Sequence, residues 1–212
     1  MPAIPIDSRV EGLALHLWSV EEPLEWFLKE VQLTSQEDLE FEAMLGKRRL
    51  EYVVQRYLLR HYLNGAKPLL RKTSNGKPYI ANRQEKISVT HSRSMLMLST
   101  ARTDHGIDLE WIDERINRLA GKFCNDMELK VPGYADPAFW YTLVWSCKEA
   151  LYKVDGLGQL EFRTQLAVHF TPPSFKERWG RGIVRRDDKT FFFRLYFEEI
   201  NGFIVTWAFP AF

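Results

Sequence analysis

The sequence predicts an α+β fold of two pseudo-symmetric lobes, residues 1–105 and 106–212, forming one compact pseudo-dimeric unit. Three observations predict it. The order strand, helix, antiparallel strands occurs twice along the chain. Two long segments carry apolar residues at helical spacing, one in each half. Asn75-Gly76 and Asn201-Gly202 are hairpin signals set between short runs of strand character. Each lobe is therefore expected as a small antiparallel sheet packed on a long helix.

The elements follow in order. Leu13-Ala14-Leu15-His16-Leu17-Trp18 reads as a buried strand. Thr34 and Ser35 are N-cap candidates, with Glu37 and Asp38 three residues on, so a helix starts there and Gly46 interrupts it. Leu50, Val53, Val54, Tyr57 and Leu58 carry a further helix to the stop signal Asn64-Gly65. Strands are expected at 69–73, 79–81, 87–91, 95–101 and 106–110. The second half opens with a weakly patterned helical region at 115–130. A clearer helix runs from 137 to 154, with Asp136 as N-cap, Pro137 in its first turn and Gly156 just past its end. Strands near 162–170, 183–186, 191–197 and 203–209 close the chain.

Composition narrows the function. Hydrophobic residues make up 45% and charged residues 27%, an ordinary globular balance that argues against disorder. Lys+Arg number 29 against 28 Asp+Glu, so there is no basic excess of the kind that displaces counterions from nucleic acid. Any bound anion is expected to be small and held locally. Two cysteines rule out a disulfide scaffold, and the cysteines and five histidines show no zinc-ligand spacing. The N-terminal residues show no secretory pattern. The best uncharged run, 137–147, falls short of the ~18 apolar residues of a membrane span. A cytoplasmic protein without membrane contact is expected.

Three segments carry candidate chemistry. Gly106-Ile107-Asp108-Leu109-Glu110-Trp111 alternates with period two, placing Asp108 and Glu110 on one face and Ile107, Leu109 and Trp111 on the other. Paired carboxylates repel unless solvated or bridged, and hard oxygen ligands suit Mg²⁺. A solvent-facing acidic edge is the plain alternative. On the second long helix, Glu149 and Lys153 are i,i+4 neighbours with Trp145 one turn earlier. An exposed Glu–Lys pair would be worth only about 0.3–0.5 kcal/mol. That helix is mostly apolar, however, so its few charges are expected to be engaged. Ser88-Val89-Thr90-His91-Ser92 sets hydroxyls and an imidazole at a strand end, able to hold a phosphate or simply to form a turn. Arg49, Arg56 and Arg60 share a helix face, either to receive phosphates or to be solvated. No G-x-S-x-G elbow, H-E-x-x-H or Walker loop is present.

Gly76-Lys77-Pro78, Ile87-Ser88-Val89-Thr90-His91-Ser92, Gly106-Ile107-Asp108-Leu109-Glu110 and Trp145-Ser146-Cys147-Lys148-Glu149-Ala150-Leu151-Tyr152-Lys153, in that order, resemble the 4′-phosphopantetheinyl transferase superfamily. The nearer likeness is to its monomeric, surfactin-synthetase-activating type. The resemblance implies coenzyme A bound between two lobes and transfer of its 4′-phosphopantetheine arm to a serine of an apo acyl, polyketide or peptidyl carrier, with release of adenosine 3′,5′-bisphosphate. It implies Mg²⁺ ligation by Asp108, Glu110 and Glu149, with Glu149 and Lys153 as catalytic groups and Lys153 on the pyrophosphate. Lys77, Thr90 and His91 match positions that hold the 3′-phosphate, with Thr90 standing where the family commonly has Ser. Lys47, Arg48, Arg49 and Arg56 fall near family phosphate contacts. Cys124, after Phe123, lies where the family often shows paired aromatics near the carrier-docking surface. Two rivals are a Mg²⁺-dependent nuclease, disfavoured by the charge balance, and a catalytically silent coenzyme A- or carrier-binding protein, disfavoured by the complete ligand set with Lys153.

Overall fold

A computed structural model describes residues 3–64 and 67–211. In chain order the elements are β1 (Ala3–Ile4), β2 (Ala14–Ser19), α1 (Leu24–Glu30), α2 (Ser35–Glu42), α3 (Lys47–Tyr62), β3 (Leu70–Lys72), β4 (Pro78–Ile80), β5 (Lys86–Ser92) and β6 (Met95–Ala101). There follow β7 (Gly106–Trp111), a 3₁₀ turn (Glu114–Arg118), α4 (Ala120–Phe123), α5 (Pro137–Asp155), β8 (Leu166–His169), α6 (Pro172–Lys176), β9 (Trp179–Arg186), β10 (Lys189–Ile200) and β11 (Phe203–Pro210). A four-stranded sheet has the order β1-β2-β6-β5, a five-stranded sheet β7-β11-β10-β9-β8, and β3-β4 form a separate hairpin. Every pairing is antiparallel. This is the expected α+β class, with helices packed on antiparallel sheets.

Local signals explain the sharpest boundaries. Thr34 and Glu37 form a reciprocal capping box at the start of α2. Gly46, at φ 58°, separates α2 from α3. Asp136 accepts the N–H groups of Ala138 and Phe139 at the start of α5, and Gly156 ends that helix in the left-handed region at φ 69°. Gly65, the second residue of the expected stop after α3, lies outside the described residues.

Apolar alternation builds three cores. Val53, Val54 and Leu58 of α3 pack with Phe27 of α1 on Ile87, Leu96 and Leu98. Leu143, Val144, Cys147 and Leu151 of α5 pack on Leu166, Leu195, Phe197 and Ile204 of the five-stranded sheet. Between the two sheets, Leu13, Leu15, Leu17, Met95 and Met97 meet Ile107, Leu109, Val205 and Trp207. Ile107 and Leu109 thus face the inter-sheet core, which turns Asp108 and Glu110 toward α5. Gly106 lets the two elements touch: a Cβ there would lie 2.0 Å from the Ala150 carbonyl oxygen on α5.

Two sequence expectations need correction. The helical region at 115–130 is broken into the 3₁₀ turn, α4 and an irregular stretch. Cys124 is extended (ψ 136°), and Asn125 Oδ1 then accepts the N–H groups of Met127 and Glu128, competing with helix. The strand expected over 162–170 is confined to β8, because Glu161 and Gln165 close a turn on themselves. Helix α1, the short α6 and β1 carry too little periodicity to be read and were not expected.

Candidate active site

Strand β7 and helix α5 supply four charged groups to one place. Asp108 is 3% exposed, and its Oδ1 accepts from Lys153 Nζ at 2.6 Å and from the Thr90 hydroxyl at 3.1 Å. Its Oδ2 is buried with no hydrogen-bond partner. Glu110 Oε1 accepts the indole N–H of Trp145 at 3.0 Å. Burial, then the Asp108 charge, push the Glu110 carboxyl up to about 7 against the opposing pull of Trp145 and Lys153. Burial, then Asp108, also push Glu149 up to about 7, with Glu110 adding and Lys153 opposing. The three carboxylates feel one another, and Lys153 reaches into them.

Strand β5 ties the N-terminal half to this cluster. Ser88 Oγ accepts the N–H of Ile107 at 3.2 Å, and Thr90 reaches Asp108 as described. Lys153 also borders a cavity of about 220 Å³ whose walls include Lys77, Ser88, Tyr152 and Gly156. Lys77 Nζ donates to the Val154 carbonyl at 3.1 Å and lies 3.7 Å from Asp104, which also pairs with Lys86. Burial lowers the pKa of Lys77 while Asp104 opposes that shift. The cavity thus has two lysines, neither fully exposed, and adjoins the carboxylates through Lys153.

The remaining expected residues divide. Thr90 and His91 are successive strand residues and point to opposite faces. Thr90 turns to Asp108, whereas His91 lies half exposed with Nδ1 3.4 Å from Glu51. His91 lines a different cavity, of about 440 Å³, together with Lys47 and Arg93. Lys77 and His91 therefore line different cavities, and Thr90 turns to Asp108. Arg48 lies exposed in the first turn of α3. Arg49 donates to the carbonyls of Met44 and Glu42 and lies over the Phe41 ring, locking the α2–α3 corner. Arg56 is 4% exposed, paired with Glu37 at 3.0 Å and Glu40 at 3.4 Å and stacked on Tyr52. Arg60 joins Glu37 at 2.9 Å. A phosphate at Arg56 would have to displace two carboxylates, whereas Arg49 stays partly exposed beside Glu42. All three arginines of the row thus have protein partners and do not form a merely solvated face.

Two contacts escaped sequence reasoning. Thr90 acts on Asp108 through its side chain, a contact foreshadowed only by its alternation along β5. Helical spacing places Trp145 on the Glu149 face, but its bond to Glu110 depends on how β7 docks. Among the described residues no group of three or more His, Cys, Asp or Glu is drawn together as a ready metal centre. The donor set nevertheless fits a hard cation: the unpartnered Asp108 Oδ2 and the mutual repulsion of the three carboxylates are both relieved by positive charge. No helix among the described residues is long and apolar enough to cross a membrane.

No curated protein matches the chain. Residues 104–208, which hold β7, α5 and most of the five-stranded sheet, match the family model described as 4′-phosphopantetheinyl transferase superfamily. Asp108, Glu110, Glu149 and Lys153 all fall inside that match. Residues 104–208 belong to the 4′-phosphopantetheinyl transferase superfamily, a family of transferases that move phosphopantetheine from coenzyme A to carrier proteins.

Proposed function

We propose that the transfer is Mg²⁺-dependent, with Asp108, Glu110 and Glu149 as the metal-holding residues and a carrier serine as acceptor. The observation that carries this reading is the position of Lys153. It touches Asp108 in the carboxylate cluster and also borders the Lys77 cavity, so an anionic diphosphate in that cavity lies next to the acids. Bound Mg²⁺ would neutralise diphosphate oxygens and favour charge developing on the leaving group.

The protein's own side chains account for the rest. The serine oxygen forms a bond to the phosphorus that carries the pantetheine arm. The bond from that phosphorus to the bridging oxygen breaks, and adenosine 3′,5′-bisphosphate departs. Lys77 and Lys153 stabilise the diphosphate, and Lys153 the charge on the departing oxygen. Glu149 accepts the serine proton, directly or through one water. Asp108 anchors Lys153, and Thr90 orients Asp108. The acceptors are acyl, polyketide or peptidyl carriers.

The test incubates the protein with coenzyme A, Mg²⁺ and a panel of apo carriers and follows intact mass. One carrier or more should gain the mass of a phosphopantetheine arm, and Asp108→Ala should abolish that gain while remaining folded. Unimpaired transfer by Asp108→Ala at limiting Mg²⁺ would remove the proposed site.

A further inference from the structure

Lys148 precedes Glu149 on α5 but points elsewhere, as consecutive helical residues do. It is 0% exposed. Its ammonium donates to the carbonyls of Phe123 at 2.7 Å and Phe162 at 2.8 Å and pairs with Glu128 at 2.7 Å, which uses its three donors. Glu128 is 2% exposed and also accepts the N–H groups of Asn125 and Val168. A buried ion pair of this kind is often no more stabilising than well-packed apolar side chains of the same volume. What it adds is direction, because each hydrogen bond fixes one atom of a distant segment.

Those atoms matter for the site. Phe123 and Phe162, whose carbonyls Lys148 holds, are the two rings against Trp145. Phe123 meets the indole edge-on at 5.1 Å and Phe162 stacks on it at 5.2 Å. The same indole donates to Glu110. Glu110 and Asp108 repel each other, so a Glu110 carboxyl without that donor would turn away. We infer that Lys148 is a positioning residue for the transfer reaction. By anchoring Phe123 and Phe162 it sets the plane of the Trp145 indole, and through it the direction of the Glu110 carboxylate. The inference rests on the role proposed for Glu110.

Indole N–H resonances of the full chain test it without turnover. The Trp145 signal is the one missing in Trp145→Phe, and Glu110→Ala defines its position when the acceptor is lost. The variant Lys148→Met/Glu128→Gln leaves no unpaired buried charge, and it should move the Trp145 signal toward that position. Its kcat should fall by roughly 10–100-fold, as for small misplacements of catalytic groups, with KM for coenzyme A nearly unchanged. In a Trp145→Phe background the same double substitution should cost little further kcat, since the path through the indole is already cut. If the double variant fails to fold, Phe162→Leu removes one flanking ring, keeps the ion pair and should shift the same resonance. A Trp145 signal that stays in place, or kcat losses that multiply in the Trp145→Phe background, would overturn the inference. Absence of transfer by the wild-type protein would instead remove the proposed function, so the two failures are distinguishable.

Discussion

Gly106→Ala adds one methyl group where β7 crosses α5. The new Cβ would lie 2.0 Å from the Ala150 carbonyl oxygen, 2.7 Å from the Val154 nitrogen and 3.0 Å from the Ala150 carbonyl carbon. The shortest ordinary carbon–oxygen approach is about 3.3 Å, so relief requires strand and helix to part by roughly 1 Å. All three obstructing atoms are backbone and none can rotate away. Overpacking typically costs about 1–3 kcal/mol, and a backbone clash belongs at the upper end. At about 2–4 °C per kcal/mol for a chain of this size, the melting temperature should fall by roughly 6–12 °C. The same separation pulls Asp108 and Glu110 from Glu149 and Lys153, lengthening the 2.6 Å contact between Lys153 and Asp108. A displacement of that size is worth about 100-fold in rate.

Gly182→Ala on β9 is the matched control. Its Cβ would meet only side-chain atoms of Leu151, Cδ2 at 2.6 Å, Cδ1 at 3.0 Å and Cγ at 3.2 Å, which can shift without moving backbone. Thermal melts and kcat per folded molecule should therefore separate the two variants. Equal stability for the two would mean that close approach is not what Gly106 serves. A destabilised Gly106→Ala with normal kcat would show that β7–α5 spacing does not set the site.

Three further outcomes are expected. His91→Ala or Lys47→Ala should raise KM for coenzyme A by about 10–100-fold, as for loss of a charged hydrogen bond to phosphate, and scarcely affect dephospho-coenzyme A; equal losses on both substrates would exclude the 440 Å³ cavity from 3′-phosphate binding. Glu37→Gln leaves Arg56 with Glu40 alone as its carboxylate and Arg60 facing an amide and should lower the unfolding free energy by about 1–3 kcal/mol, read by urea denaturation, with kcat per folded molecule retained. Burial, then His61, hold His16 down at about 4 in the folded chain, whereas the unfolded chain takes up a proton near 6.5. The contribution of His16 is thus complete above about pH 6.5 and declines as pH falls toward 4. His16→Phe, which keeps a ring stacked on Tyr62, should lose less stability than wild type between neutral and mildly acidic pH.

Local rules made much of this fold legible. The capping box at Thr34, the Asp136 and Gly156 ends of α5 and both Asn-Gly hairpins need only residues a few positions apart. Alternation in residues 106–111 likewise separates Asp108 and Glu110 from Ile107 and Leu109. The misreadings share one cause, which is that periodicity names a face but not what covers it. Arg56 recurs with Arg49 and Arg60 on α3, yet its partners Glu37 and Glu40 come from α2. Residues 115–130 hold apolar residues at weak helical spacing, yet Lys148 takes the Phe123 carbonyl and Glu128 and the chain opens at Cys124.

The run from Trp145 to Lys153 shows the same limit at finer scale. That the charges of an apolar helix must be engaged is sound physical chemistry, and Lys148, Lys153 and Asp155 all hold partners while Glu149 faces the carboxylate cluster. The rule does not say that they are engaged together. At about 100° per residue, Lys148 and Glu149 diverge, one into a closed ion pair with Glu128 and the other toward Asp108 and Glu110. Lys153, one turn beyond Glu149, returns to the cluster through Asp108. One contiguous motif therefore serves two charge systems on different sides of the helix. The rings of Phe123 and Phe162 against Trp145 are the physical link between them. If that link carries Glu110, then Lys148 belongs to the chemistry as much as Glu149 and Lys153 do, although its ammonium is closed off from any substrate.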